Sequence, residues 1–236
     1  MGFSKNNAPF GFVNSLTMAR KKLIRFGENL TRSNVFEPEK EGYTELIGTW
    51  REKVFQNTNP LILELACGYG EYSVGLAAQK PDQNFIGIDI KGERLWKGST
   101  DALTLGLSNV AFLRTQIHHL ERFFLPNEVS EIWLIHPDPR PRNRDIRRRL
   151  TAERFLSMYQ KILKPEGGFR LKTDSDLLFE FTLETLKKYP IKNLEYTWDL
   201  YQSPLLEEHY GITTRYERRA QGEGLTIKFL KCNFEK

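Results

Sequence analysis

After Pro60 the chain alternates short apolar runs with longer amphipathic stretches. Leu61–Ala66 is followed by 71–80, Asn84–Ile90 by 92–106, Asn109–Leu113 by a short 116–124, Glu131–His136 by 151–163, and Gly168–Thr173 by 176–188. Each run has the length of a buried strand and each stretch that of a crossover helix. Five such units in series predict an α/β fold: a doubly wound, mostly parallel sheet with helices on both faces. Leu194–Tyr201 and Leu225–Asn233 also read as strands, with no helix-length apolar pattern between them. They predict a late antiparallel pair at one edge and bring the sheet to seven strands. Upstream, Glu41 to Phe55 carries apolar or aromatic residues at 43, 46, 47, 50 and 54, the stripe of a helix packed on the sheet. Residues 1–40 lack such periodicity and read as a flexible basic arm, with 41–236 as the single domain.

Composition narrows the class. With 39% hydrophobic residues and a mean hydropathy of −0.51, no stretch approaches the roughly 20 apolar residues of a membrane span. The start, Met1-Gly-Phe-Ser-Lys, has no apolar secretory core, and the expected location is the cytoplasm. Gly2 invites a myristoylation reading, which Asn6 opposes. Cys67 and Cys232 are far apart and lack metal-ligand spacing, so they suggest buried thiols, with neither disulfide nor metal. The net charge of +5 is uneven, with Lys and Arg gathered at 20–25, 140–154 and 215–219. Cations concentrated on one face attract nucleic acid through counterion release.

The strand ends carry the candidate chemistry, as expected of an open α/β sheet. The first run leads into Cys67-Gly-Tyr-Gly70, where Gly68 and Gly70 form a tight turn into a helix. Such a turn alone is weak evidence. The acids around it are more informative: Glu64 upstream and Glu71 within the turn oppose a pyrophosphate at the helix N-terminus but suit an ammonium and a sulfonium. Asp89, 19 residues beyond Gly70, ends the second run where a carboxylate accepts both ribose hydroxyls of an adenosine. NAD would use the same acid, and Glu64 tips the balance to S-adenosylmethionine. Gln116, after the third run, is placed to bond the adenine edge.

The fourth run opens into His136-Pro-Asp-Pro-Arg-Pro-Arg-Asn-Arg-Asp-Ile-Arg-Arg-Arg-Leu150. Prolines at 137, 139 and 141 fix φ and remove donors, so the segment reads as a stiff non-helical loop that aims Asp138 in a definite direction. Arg140, Arg142, Arg144, Arg147, Arg148 and Arg149 make a polyanion the natural partner, because guanidinium groups grip phosphate in bidentate geometry. A solvated, charge-rich loop is the bland alternative. Lys21, Lys22 and Arg25 are further candidates for this polyanion-binding surface. His118 and His119 are adjacent, point apart and have no third ligand nearby, so no metal is expected. Trp96, Trp133 and Phe155 read as core.

With these residues the chain resembles the bacterial tRNA (guanine-N7)-methyltransferases that modify G46 in the variable loop. The likeness spans about Leu61 to Glu217 and rests on Glu64–Gly70, Gly87-Ile-Asp89, His136–Arg142, Arg147–Leu150, Thr173-Asp174 and Thr213–Arg218. It implies a Rossmann-like class I methyltransferase dependent on S-adenosylmethionine, held by Glu64, Gly68, Gly70, Asp89, Gln116 and Asp138. It implies Asp138 as the catalytic residue where donor and guanine meet. Arg142, Asp174, Thr214, Arg215, Tyr216 and Glu217 would contact substrate, while Arg140, Arg144 and Arg147–Arg149 would hold the tRNA backbone. The partner is tRNA, without membrane or metal, and both monomer and homodimer remain open. Departures from the family pattern stand at Gln116 (usually Asp), His136 (Phe), Arg140 (Trp) and Arg142 (Lys). Arg140 can still stack on a base through its planar face. The alternatives are methylation of another RNA position or of an amine, and a non-catalytic tRNA-binding subunit on the same fold.

Overall fold

In the computed structural model, which describes residues 23–236, the five expected units lie in one sheet. Its strands, among the described residues, are Val35–Phe36 (β1), Leu61–Leu65 (β2), Asn84–Asp89 (β3), Val110–Arg114 (β4), Val129–Ile135 (β5), Leu163–Thr173 (β6), Ile191–Thr197 (β7) and Lys228–Phe234 (β8). They run in the order β1-β4-β3-β2-β5-β6-β8-β7. All pairings from β1 to β6 are parallel, while β8 is antiparallel to both β6 and β7. The expected late pair is therefore present, with β8 inserted between β6 and the edge strand β7.

Central strands β2 and β3 are buried along their whole length, as parallel strands covered on both faces must be. Period-two alternation divides their side chains between two layers. Leu61, Leu63 and Leu65 join Trp50, Phe124, Tyr159 and Phe169 on one face, and Ile62 joins Tyr72, Phe112, Trp133 and Phe229 on the other. Residues 23–31 (α1), Glu71–Gln79 (α2), Gly92–Thr104 (α3), Glu153–Ile162 (α4), Asp176–Leu186 (α5) and Arg215–Gly222 (α6) are helical. In α4 the buried Phe155, Leu156, Tyr159 and Ile162 recur at helical spacing and seal one layer.

Several expectations need correction. The arm boundary at 40 falls inside the fold: Val35 pairs with Phe112 and is fully buried, so the sheet has an eighth strand. Residues 1–22, with Lys21 and Lys22, lie outside the described residues. Helix α1 is tied down where Arg25 and Arg32 cover the Trp96 ring at 4.7 and 5.0 Å, and Asn29 Nδ2 donates to the Gly92 carbonyl at 2.9 Å. Trp96 is thus a half-buried dock for α1, whereas Trp133 and Phe155 are core. The stripe over 41–55 forms no continuous helix. It breaks into a 3-10 turn, Tyr43–Glu45, and a π-helical turn, Trp50–Phe55, separated by Gly48 at φ 70°. Its apolar residues still reach the core, with Trp50 stacked on Phe124 at 5.6 Å. Between the last strands stands α6, which no apolar pattern announces.

Candidate active site

The strand order reverses between β2 and β5. From β2 the chain steps outward through β3 and β4, then crosses back to β5 and β6. A crevice at the carboxyl ends of such a pair is where open α/β sheets bind ligands, and both key loops leave the sheet there. Each exits through a residue in the left-handed region, Ala66 (φ 57°) after β2 and His136 (φ 46°) after β5. Gly70, at φ 72°, caps α2, and a Cβ there would lie 2.6 Å from the Phe112 ring. Above Gly68, also at positive φ, the described residues leave open space.

The acids around this turn are held by backbone. Asp89 accepts from Gly68 N at 3.0 Å and from Lys91 N at 2.9 Å, one bond to each oxygen. Each oxygen keeps a free lone pair, which is what a ribose diol needs. Glu64 accepts from Ser73 N at 2.7 Å and from the Ser73 hydroxyl, which pins β2 to α2. Burial pushes the Glu64 carboxyl up to about 8 despite these bonds. Glu71 pairs with Arg215 and Arg218 of α6. Gln116 is exposed just past β4. The open space over Gly68, the anchored Asp89 and the buried Glu64 fit an adenosine carrying a cationic methyl donor.

The proline segment 136–142 is non-helical as expected, but Asn143–Arg148 closes into a 3-10 helix. Asp138 is 62% exposed and open to a ligand, with Arg140 as its holder: the Arg140 N–H donates to Oδ1 and its Nε lies near Oδ2, both at 3.1 Å. Arg140, Arg142, Arg144, Asp145 and Arg148 line an open cavity of about 460 Å³. Asp145 pairs with Arg148 at 3.1 Å and lies 4.0 Å from Arg144. Arg147 is exposed. Arg149, expected on the phosphate-binding surface, instead is buried: it donates twice to the Arg140 carbonyl and covers the Phe181 ring at 4.6 Å. It braces the loop from beneath.

Asp174 follows β6. The adjacent helix α5 is capped by Ser175, whose hydroxyl accepts from Leu178 N, so the Asp174 carboxylate is not spent on capping. It meets His136 Nδ1 at 3.1 Å, and that bond holds its carboxyl below the usual carboxylate range. The Thr214–Glu217 stretch divides in two. Arg215 and Tyr216 are exposed, with the Arg215 guanidinium 3.4 Å from the centre of the Tyr69 ring in the glycine turn. Thr214 and Glu217 are buried and form a capping box at the start of α6.

Glu217 is fully buried. Its carboxylate meets Lys172 Nζ at 2.7 Å, His209 Nε2 at 3.0 Å and the Tyr201 hydroxyl at 3.0 Å. Burial alone would raise its pKa, but His209 and Lys172 hold it down to about 2. Lys172 is lowered by its own burial, with Glu217 opposing that. Sequence reasoning missed Lys172, His209, Tyr201 and the Tyr72 hydroxyl, 3.2 Å from Lys172 Nζ. No local signal marked Lys172, which falls in phase with Arg170 on the polar positions of Phe169-Arg-Leu-Lys172.

Fold, switch point and glycine turn together define a class I methyltransferase, and residues 58–230 match the family model described as a putative methyltransferase. Solved neighbours share the fold: the 16S rRNA methyltransferase KamB (TM-score 0.59, 16% identity, 78% of this chain and 92% of that one) and a 16S rRNA (adenine(1408)-N(1))-methyltransferase from Catenulisporales acidiphilia (TM-score 0.57, 15% identity, 78% and 90%). Among curated sequences, a tRNA (guanine-N(7)-)-methyltransferase of Cytophaga hutchinsonii is 50% identical over 92% of this chain and 99% of its own. Proteins of the same description from Christiangramia forsetii (44% identity, 90% and 97%) and Clostridioides difficile (33%, 92% and 95%) also match. The chain belongs to the tRNA (guanine-N7)-methyltransferase family.

Proposed function

We propose that this protein transfers the methyl group of S-adenosylmethionine to N7 of a guanine in cytoplasmic tRNA, with G46 of the variable loop as the base. The observation that carries this reading is the seating of α6 on the glycine turn through Arg215 and Tyr69. It sets the exposed Arg215 and Tyr216 beside the donor crevice, with Asp138 and Asp174 at the ends of the neighbouring strands.

Guanine N7 carries an in-plane lone pair, so no proton has to leave before attack and no strong base is needed. The N7–methyl bond forms as the sulfur–methyl bond breaks, the electron pair returns to sulfur, and positive charge passes to the purine. The cosubstrate supplies the activated methyl group. The protein's part is positioning, worth several kcal/mol when the three reacting atoms are held in line. Asp138 accepts from a guanine donor and offsets the charge arriving on the ring. Before RNA binds, one hydrogen bond and one ion pair with Arg140 keep the carboxylate oriented. Asp174 accepts from the Watson–Crick N–H groups. Arg142, Arg144, Arg147 and Arg148 hold phosphates, which fixes register without reading sequence.

Purified protein, unmodified tRNA and labelled S-adenosylmethionine test the reading. Label is expected at one guanine, located by chemical cleavage at N7-methylguanosine. Label on another atom or position, or none, would overturn it.

A further inference from the structure

The chain leaves β5 through His136 in a backbone region that non-glycine residues use sparingly, although His, like Asn and Asp, enters it more readily than most. Its N–H still donates to the Lys172 carbonyl at 2.8 Å, so the kink comes immediately after the last ladder pair, Ile135 with Lys172. The ring is buried, at 3% exposure, between two carboxylates. Nδ1 faces Asp174 Oδ1 at 3.1 Å. An ionised carboxylate only accepts, so Nδ1 carries the proton. Nε2 is buried, has no hydrogen-bond partner among the described residues and faces Glu217 Oε2 at 3.9 Å. The other groups converging here are Lys172, His209 and Tyr201 on Glu217, and Lys228, whose Nζ donates to the Asp174 carbonyl at 3.2 Å.

We propose that His136 is a positioning residue that aims the Asp174 carboxylate at the guanine. The proposal rests on the reading of Asp174 as a guanine acceptor. One Asp174 oxygen is occupied by His136, which leaves the other free for the base. Ser175 has taken over the capping of α5, so this bond is what orients a carboxylate that is otherwise 39% exposed on a loop. A phenylalanine at 136 would fill the buried space and give Asp174 no donor.

The test is steady-state methylation of tRNA at saturating donor, with donor binding measured separately to normalise for folded protein. The variants are His136→Phe, His136→Asn, His136→Gln, Asp174→Asn and the double His136→Phe/Asp174→Asn. Losing a hydrogen bond to a charged acceptor predicts about a tenfold or greater loss in kcat/KM for tRNA in His136→Phe, carried mainly by KM, with donor affinity unchanged. Asparagine places an amide near the site of Nδ1 and is expected to restore most of the loss. Glutamine reaches toward Glu217 instead and is expected not to. If His136 acts through Asp174, the double variant is no worse than Asp174→Asn alone. Multiplying losses in the double variant, or equal defects in His136→Asn and His136→Phe, would overturn the proposal. A kinetically silent Asp174→Asn would instead overturn the guanine reading, and the proposal with it.

Discussion

Lys172→Met removes an ammonium from a fully buried site while nearly conserving side-chain volume. The cation lies 2.7 Å from Glu217 Oε2, 3.2 Å from the Tyr72 hydroxyl and 3.4 Å from the Ile212 carbonyl, and both members of the ion pair are at 0% exposure. Truncating one partner leaves Glu217 charged among His209 and Tyr201 with its main counter-charge gone. Breaking such a pair costs roughly 3–5 kcal/mol, and at ~2–4 °C per kcal/mol for a chain of this length the midpoint should fall by about 6–20 °C. The carboxyl's fall from 4.5 to about 2 has the same sign: burial raises it, but the contacts from His209 and Lys172 outweigh burial and favour the ionised form in the fold. Because the folded value is depressed, this contribution stands in full above pH 4.5 and drains away as pH falls toward 2. Thermal melts followed by circular dichroism at pH 7 and pH 3 should therefore show a wide gap between parent and variant that narrows in acid. Lys172→Met/Glu217→Gln, which leaves no unpaired carboxylate and keeps an acceptor for the α6 cap, His209 and Tyr201, should regain more than half of the loss. A single variant melting within a few degrees of the parent at pH 7, or a double variant as unstable as the single, would refute the argument.

Four further outcomes follow from the site. Glu64, at about 8 in the unliganded protein, is mostly protonated at pH 7 and should release close to one proton when the cationic donor binds; donor affinity then rises with pH and levels off above about 8. Calorimetry in buffers of different ionisation enthalpy reads this directly, and zero net release counts against it. Asp138→Ala should abolish most methyl transfer and keep donor binding, and equal loss of both would assign the carboxylate to the donor alone. tRNA affinity should fall steeply with added salt while donor affinity barely changes; Arg144→Ala or Arg148→Ala should each reduce the salt slope by about one. Arg149→Ala should leave that slope intact and lower stability by about 1–3 kcal/mol through its lost bonds to the Arg140 carbonyl.

The parallel core was legible because fully buried strands read as unbroken apolar runs, and the carboxyl-end acids Asp89, Asp138 and Asp174 could be found by asking where each run stopped. Elements that draw their stability from distant partners could not be read this way. Helix α6 is short and strongly polar; it forms because Thr214 and Glu217 cap it and because Glu217 finds Lys172, His209 and Tyr201 from three other segments. Strand β1 has two residues and no periodicity to show. Arg149 sits in a run of three arginines, and nothing local distinguishes the one that turns beneath the loop. The 41–55 stripe had the right apolar residues, but Gly48 at φ 70° divides the backbone that would have joined them.

Strand β6, which ends in Lys172, Thr173 and the approach to Asp174, has as one neighbour β8, built from residues 228–234. Lys228 donates to the Asp174 carbonyl and pairs with Asp176. The carboxyl end of β6 therefore stays without this neighbour until residues 228–234 have been synthesised. Anything that frays the last strand accordingly loosens the backbone that carries Asp174.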